Sequence, residues 1–239
     1  MATRRKPRVS KPEPSTYSYK MIWSDPSKPT AQRIHPYYPM IDAHGMGANF
    51  EIEQYGVHLL MGEIEEDTCA QAIDWILREN FAPTRKSHLT LVICSPGGNL
   101  TTCFALIDVM QGSAIPVHTL GVGQIASCGL LLFISGARGH RTLTPNTSIL
   151  SHQYSWGAYG KEHELFAQAK EYELTTKRMM THYKRCTGMS EANIRKYLLP
   201  PQDIWLSAHE AKTLNVCDKV HSLDMNRLGD TQKNLKAAG

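Results

Sequence analysis

Apolar and polar positions follow two periods along the body of this chain, and the period decides the element. Val57-His58-Leu59-Leu60-Met61 is a short apolar run closed by Gly62, which predicts a strand. Over Thr68 to Asn80 the residues Ala72, Ile73, Ile76 and Leu77 recur at helical spacing, which predicts a helix with one buried side. Leu89-Thr90-Leu91-Val92-Ile93-Cys94 reads as a buried strand, stopped by Ser95-Pro96-Gly97-Gly98. Thr102 to Gln111 is helical, with Phe104, Ile107 and Met110 as its apolar set, and Val117 to Val122 is a strand. Ser127 to Gly136 is apolar almost throughout, so it predicts a helix buried on all sides. Ser148-Ile149-Leu150 is a short strand, and His163 to Thr187 a long, charged, amphipathic helix. Two short helices follow near Ser190–Leu199 and Ser207–Leu214, and a strand over Val216 to His221 ends the core. Strands alternating with helices predict βαβ units and an α/β fold.

Composition changes this picture mainly at the ends. The chain has 239 residues, 41% of them hydrophobic, enough for one large domain with appendages. Its longest purely apolar run, Leu130 to Ile134, is far too short to cross a bilayer, and no apolar stretch follows Arg4, Arg5, Lys6 and Arg8 to make a secretory signal. The net charge of +4 is uneven: residues 1–40 hold eight Lys/Arg against Glu13 and Asp25, a balance of +6, which leaves −2 for the rest. The body therefore lacks the electrostatic footprint of a nucleic-acid-binding domain. Seven of the 13 prolines also fall in the first 40 residues, among four tyrosines and Trp23. The expected organisation is a basic, Pro-rich arm over 1–48, a folded domain over 49–224 and a tail over 225–239. Six cysteines show no CxxC pair and eleven histidines no HExxH motif, which speaks for free thiols in a reducing compartment and against a metal enzyme.

Four places carry candidate chemistry. In Gly121-Val122-Gly123-Gln124-Ile125-Ala126-Ser127-Cys128-Gly129 a strand runs through a tight turn into the buried helix. Ser127 would sit at a helix start, beside free backbone N–H groups able to hold an oxyanion, or would simply cap the helix. The glycines of Ser95-Pro96-Gly97-Gly98 let backbone approach a ligand, or make a plain turn. His152, after a short strand, lines a cleft or serves structure, and Asp203 flanks either a site or the helix near Ser207.

Taken together these segments resemble one family, the proteolytic subunits of Clp proteases (ClpP). From about residue 57 to 221, Ser95-Pro96-Gly97-Gly98 is similar to the family's SPGG loop, and Leu106-Ile107-Asp108-Val109-Met110-Gln111 to its IYDTMQ helix. Gly123-Gln124-Ile125-Ala126-Ser127-Cys128-Gly129 resembles the GQAASMG nucleophile turn. Gly136-Ala137-Arg138-Gly139 with Pro145-Asn146, His152-Gln153, Thr187-Gly188 and Asp203-Ile204-Trp205-Leu206-Ser207-Ala208 follow in the family's order. The resemblance implies an α/β, crotonase-like fold of repeated β-β-α units with a protruding handle helix near 163–187. It implies Ser127 as nucleophile, His152 as general base and then acid, Asp203 as its orienting partner, and the N–H groups of Gly98 and Cys128 as the oxyanion hole. It further implies two stacked seven-membered rings around a chamber, unfolded polypeptide substrates, and an AAA+ unfoldase partner. That partner would consume the ATP, with no cofactor or metal in this chain; a cytoplasmic or organellar compartment (plastid stroma or mitochondrial matrix) is expected.

The chain departs from the pattern at several points. Ser151 stands where the family has isoleucine, Tyr154 where it has proline and Gln202 where it has arginine, and Pro200-Pro201 reads as part of a small insertion. These changes bear on how rings would meet and on whether Asp203 reaches His152. The arm replaces the usual N-terminal segment, so gate and partner recognition do not carry over. Beside the active peptidase stand three alternatives: a non-catalytic ring subunit, an acyl-CoA enzyme of crotonase fold, and a viral capsid-maturation protease.

Overall fold

The computed structural model describes residues 52–225 together with Leu228 and Gly229. The expected arm, 1–48, and most of the expected tail lie outside the described residues.

Strand β1 (Val57–Met61) leads into helix α1 (Glu66–Phe81). The helix starts two residues before its apolar spacing does. The Thr68 hydroxyl accepts from the Glu65 N–H (3.0 Å), and Glu66 and Asp67 meet the positive end of the dipole. Strand β2 (Leu89–Ser95) is followed by α2 (Leu100–Gly112), which Asn99 caps by accepting from the Thr102 N–H at 3.0 Å. Strand β3 (Val117–Ala126) runs into α3 (Cys128–Ile134), and all seven residues of α3 are buried, as their unbroken apolar character requires. Next come β4 (Arg141–Leu143), β5 (Ser148–Ser151), the 26-residue α4 (Glu162–Thr187) and α5 (Glu191–Tyr197). Strand β6 (Ile204–Ser207), α6 (Ala208–Thr213) and β7 (Lys219–Val220) close the domain.

Five strands form a parallel sheet in the order β1-β2-β3-β4-β7. The mixed α/β fold expected from the alternation is the one observed. Strand β3 is ten residues long where the apolar pattern ends at Val122, and tertiary pairing makes the difference. Its first half pairs with β4 from Thr119 to Gly121, and its second half pairs with β5 from Gln124 to Ala126. Between them Gly123, at φ 63°, allows the strand to change partner, and β5 in turn carries β6 antiparallel.

Helices α1, α2 and α3 pack around Trp75, Leu106, Ile107 and Phe133, each at most 1% exposed. Burying each such side chain is worth about 1.5–3 kcal/mol. Strands β4 and β6 were not predicted, being too short to show a period. Arg141 fixes β4 instead: its Nε and Nη2 reach the two Asp218 oxygens at 3.0 and 2.7 Å, just before β7. The strand expected over Val216 to His221 shrinks to two residues: the Val216 N–H goes to Ala211 O, and contact with β4 begins only where the Asp218 N–H meets Arg141 O.

In α4 the buried residues begin only at Thr175 and continue through Met179, Met180, His182 and Tyr183. The first half of the helix is solvent-facing in this chain, and the C-terminus closes on Gly188 at φ 73°. All six cysteines are free, Cys94 half-buried and Cys128 buried. Among the described residues no helix is long and apolar enough to cross a membrane.

Candidate active site

The sheet register assembles the site. Ala126 pairs with Leu150 across β3 and β5, and the Ser127 N–H continues the ladder to Leu150 O at 3.0 Å. Ser151 pairs with Ile204 across β5 and β6. Ser127, His152 and Asp203 therefore sit at the same end of three neighbouring strands, each one residue beyond the regular ladder.

Ser127 does not cap its helix. It has φ 53° and ψ −121°, and its hydroxyl makes no cap bond to the first turn of α3. A non-glycine residue in such a region carries about 1–3 kcal/mol of strain, which neighbouring structure must hold. Gly97 supplies the room: a Cβ there, at φ 104°, would lie 2.6 Å from the Ser127 Cβ and 3.0 Å from Ala126 O. Strand-to-helix turns of this strained kind expose a nucleophile at the top of a sheet.

Two backbone donors face this turn. The Cys128 N–H opens α3, where first-turn N–H groups have no intrahelical acceptor. Gly98, at φ 150°, forms a single bridge with Ile64, in which Ile64 N–H donates to Gly97 O (2.8 Å) and Asn99 N–H to Ile64 O (2.7 Å). Among the described residues neither the Gly98 nor the Cys128 N–H donates to a carbonyl of the turns, loops and caps. The pKa of the Cys128 thiol itself is lowered, by the Cys103 thiol first and with the Gly98 backbone and the Ser127 side chain adding. A side chain at 98 would collide with the Ile64 backbone, so glycine is required there.

His152 Nδ1 lies 3.9 Å from Asp203 Oδ1, with the histidine side chain 24% and the aspartate side chain 66% exposed. That separation is ion-pair contact without a hydrogen bond, for which 2.7–3.2 Å is needed. Catalytic hydrogen bonds are commonly long in unliganded enzymes and tighten around substrate. The residues flanking His152 are fixed more firmly. Ser151 Oγ donates to Leu198 O (2.5 Å) and lies 3.4 Å from the Tyr183 hydroxyl, and Gln153 Nε2 donates to Leu199 O (3.0 Å). Ser151 thus gains a physical account: a hydroxyl in this strand ties the segment leading to Asp203 back onto β5. Tyr154 has one too, its hydroxyl donating to Tyr172 O (3.1 Å) and its ring packing 5.5 Å from that of Tyr172, which anchors the chain after His152 to α4. Asp203 has no part in capping α6; Ser207 does that, accepting from the Glu210 N–H.

Sequence reasoning placed Ser127, His152, Asp203, Gly98 and Cys128 at one site, and the fold brings them to one end of the sheet. It missed the anchoring roles of Gly97, Ser151 and Gln153. The signal available for Gly97 was its pairing with a second glycine straight after a strand. It also missed that the Cys128 thiol donates to Gly98 O (3.2 Å) while the Cys103 thiol donates to Cys128 O (3.3 Å). Cys103 is pushed well above the usual thiol range, by Cys128 beside it and by burial, which keeps it a donor. Among the described residues no group of His, Cys, Asp and Glu is arranged to hold a metal ion.

Compared with known families, the chain is matched by the family model described as Clp protease over residues 52–224. The match covers more than half of the chain and runs from before β1 to beyond β7.

Proposed function

Since this chain belongs to the Clp protease family, we propose that it is a serine endopeptidase that cleaves unfolded polypeptide inside a ring assembly. In this reading Ser127 Oγ attacks the scissile carbonyl as His152 takes its proton. Asp203 stabilises the resulting imidazolium, and the Gly98 and Cys128 N–H groups hold the oxyanion. Collapse of the tetrahedral intermediate passes the proton from His152 to the leaving amine and leaves an acyl-enzyme. Water, deprotonated by the same histidine, then releases the acid and restores the serine. The family supports a peptidase, ring assembly and Clp unfoldase partners in general outline; the triad and the chamber are the specific content of the proposal. ATP would be consumed by the unfoldase and not by this chain.

The observation that carries this reading is Ser127 itself, strained at φ 53°, not spent on capping α3, and set at the first turn of that helix with Gly97 against its Cβ. The 3.9 Å gap between His152 and Asp203 favours a second reading, a ring subunit without catalysis. One experiment separates them: intact-mass detection of a fluorophosphonate adduct on wild type and on Ser127→Ala. A single adduct on wild type, absent from the variant, together with a loss of peptide cleavage by about 10⁴-fold or more in a normally assembled Ser127→Ala, is the expected result. An assembled wild type that takes no adduct refutes the peptidase and leaves the structural subunit.

A further inference from the structure

Gly98 is held from one side by Ile64 and from the other by a thiol. In a trans peptide the C=O and N–H point in opposite directions. Gly97 O and the Asn99 N–H are both directed at Ile64, so the N–H and the C=O of Gly98 itself both face away from Ile64. On that side stands the first residue of α3, and the Cys128 thiol donates to Gly98 O at 3.2 Å. The Cys128 carbonyl is held in turn by the Cys103 thiol at 3.3 Å. Cys128 is 4% and Cys103 0% exposed, so these contacts lie out of water. The side chain of one oxyanion donor thereby grips the residue that provides the other.

We propose that the Cys128 thiol is a positioning residue for peptide cleavage: it holds the Gly98 carbonyl so that the Gly98 N–H beside it stays aimed at the developing oxyanion. The thiol has a second effect. An unbonded Gly98 carbonyl on that face would present its negative end near the oxyanion, where the low local polarity makes repulsion strong. The thiol proton neutralises that end. The Asn99 N–H bond to Ile64 O holds one edge of the Gly98–Asn99 peptide and the thiol holds the other, where glycine has no side chain to oppose a rocking motion. The role rests on the serine-peptidase reading of the site, and it concerns the thiol only; the Cys128 N–H is present with any residue at this position.

The test uses the full-length chain and a fluorogenic peptide, with Cys128→Thr compared against Cys128→Val. These two side chains share a shape and differ in having or lacking a hydroxyl donor. Expected is a kcat about tenfold below wild type for Cys128→Val with KM within about twofold, and recovery to within about threefold in Cys128→Thr. A peptide boronate, whose tetrahedral adduct places a charged oxygen in the same hole, should lose about tenfold in affinity to Cys128→Val alone. Where β-branching prevents assembly, Cys128→Ser against Cys128→Ala repeats the comparison without it. Equal kcat in the donor and non-donor variants, with Ser127 still labelled by fluorophosphonate, overturns the positioning role and leaves the peptidase standing. A wild type that is neither labelled nor active overturns both.

Discussion

At Ser127 the backbone adopts φ 53° and ψ −121°, and the strain is tolerated because its surroundings leave little choice. The preceding residue is locked in the β3–β5 ladder, the following one begins a fully buried helix, and Gly97 lies against the Ser127 Cβ. Gly97→Ala tests this arrangement directly. The added methyl would fall 2.6 Å from the Ser127 Cβ in a conformation, φ 104°, that alanine resists. Peptidase activity should fall by about 10²-fold with stability lowered by about 1–3 kcal/mol, read from kcat and from urea unfolding. An unaltered kcat would separate the Gly97-Gly98 loop from the reaction. Ser127 and the two glycines were legible in the sequence because small residues at strand ends are conspicuous. The Cys128 thiol was not, since nothing local says that its partner is a carbonyl thirty residues earlier.

Helix α4 joins the body through a buried histidine. The His182 ring lies against α3, with Nε2 2.9 Å from Leu131 O, while Arg185 Nη2 approaches Nδ1 at 3.2 Å. Nε2 must therefore carry the proton and Nδ1 accept, which is the neutral ring. Burial is the main cause that lowers its pKa from 6.5 to about 4, aided by Arg185. His118 on β3 behaves alike. Burial lowers it to about 4, helped by His140, His88 and Lys219, and it stacks 4.4 Å from His88 and 3.9 Å from His140. Between pH 6.5 and 4 the unfolded chain binds protons at these sites that the folded chain does not, so stability is full above pH 6.5 and falls as pH drops toward 4. The midpoint of urea unfolding should decline already between pH 6.5 and 5, above the range where carboxylates titrate. His182→Gln, which keeps an N–H for Leu131 O, should flatten that slope. A slope unchanged by the substitution would place the effect elsewhere.

At the scale of the molecule, the sheet divides at β3, whose first half builds the parallel core and whose second half builds the site with β5 and β6. The exposed first half of α4 and the segment before it carry Tyr159 (97%), Phe166 (69%) and Trp156 (48%) open to solvent. Exposed large apolar groups are of the kind that contact surfaces use, and ring assembly is general to the family. The family match starts at residue 52, so a chain lacking residues 1–48 should keep a cooperative unfolding transition by circular dichroism. Loss of that transition would make the arm an integral part of the domain.

The sequence by itself determined the α/β class, the long helices, the buried character of α3 and the identity of the candidate triad. The first three depend on local period, information carried within a window of some ten residues, whereas the triad was implied only by the resemblance of segments from about 57 to 221 to one family. Tertiary structure alone decided the rest. Strands β4 and β6 exist because β3, β5 and Asp218 offer them partners, and no three- or four-residue run declares that partner in advance. The extension of β3 to Ala126, and with it the placing of Ser127, was set by pairing with β5 across more than twenty intervening residues. The bond between the Cys128 thiol and Gly98 is of the same kind. Periodicity reports which face of an element is buried, while the neighbour on that face is chosen only when the elements pack.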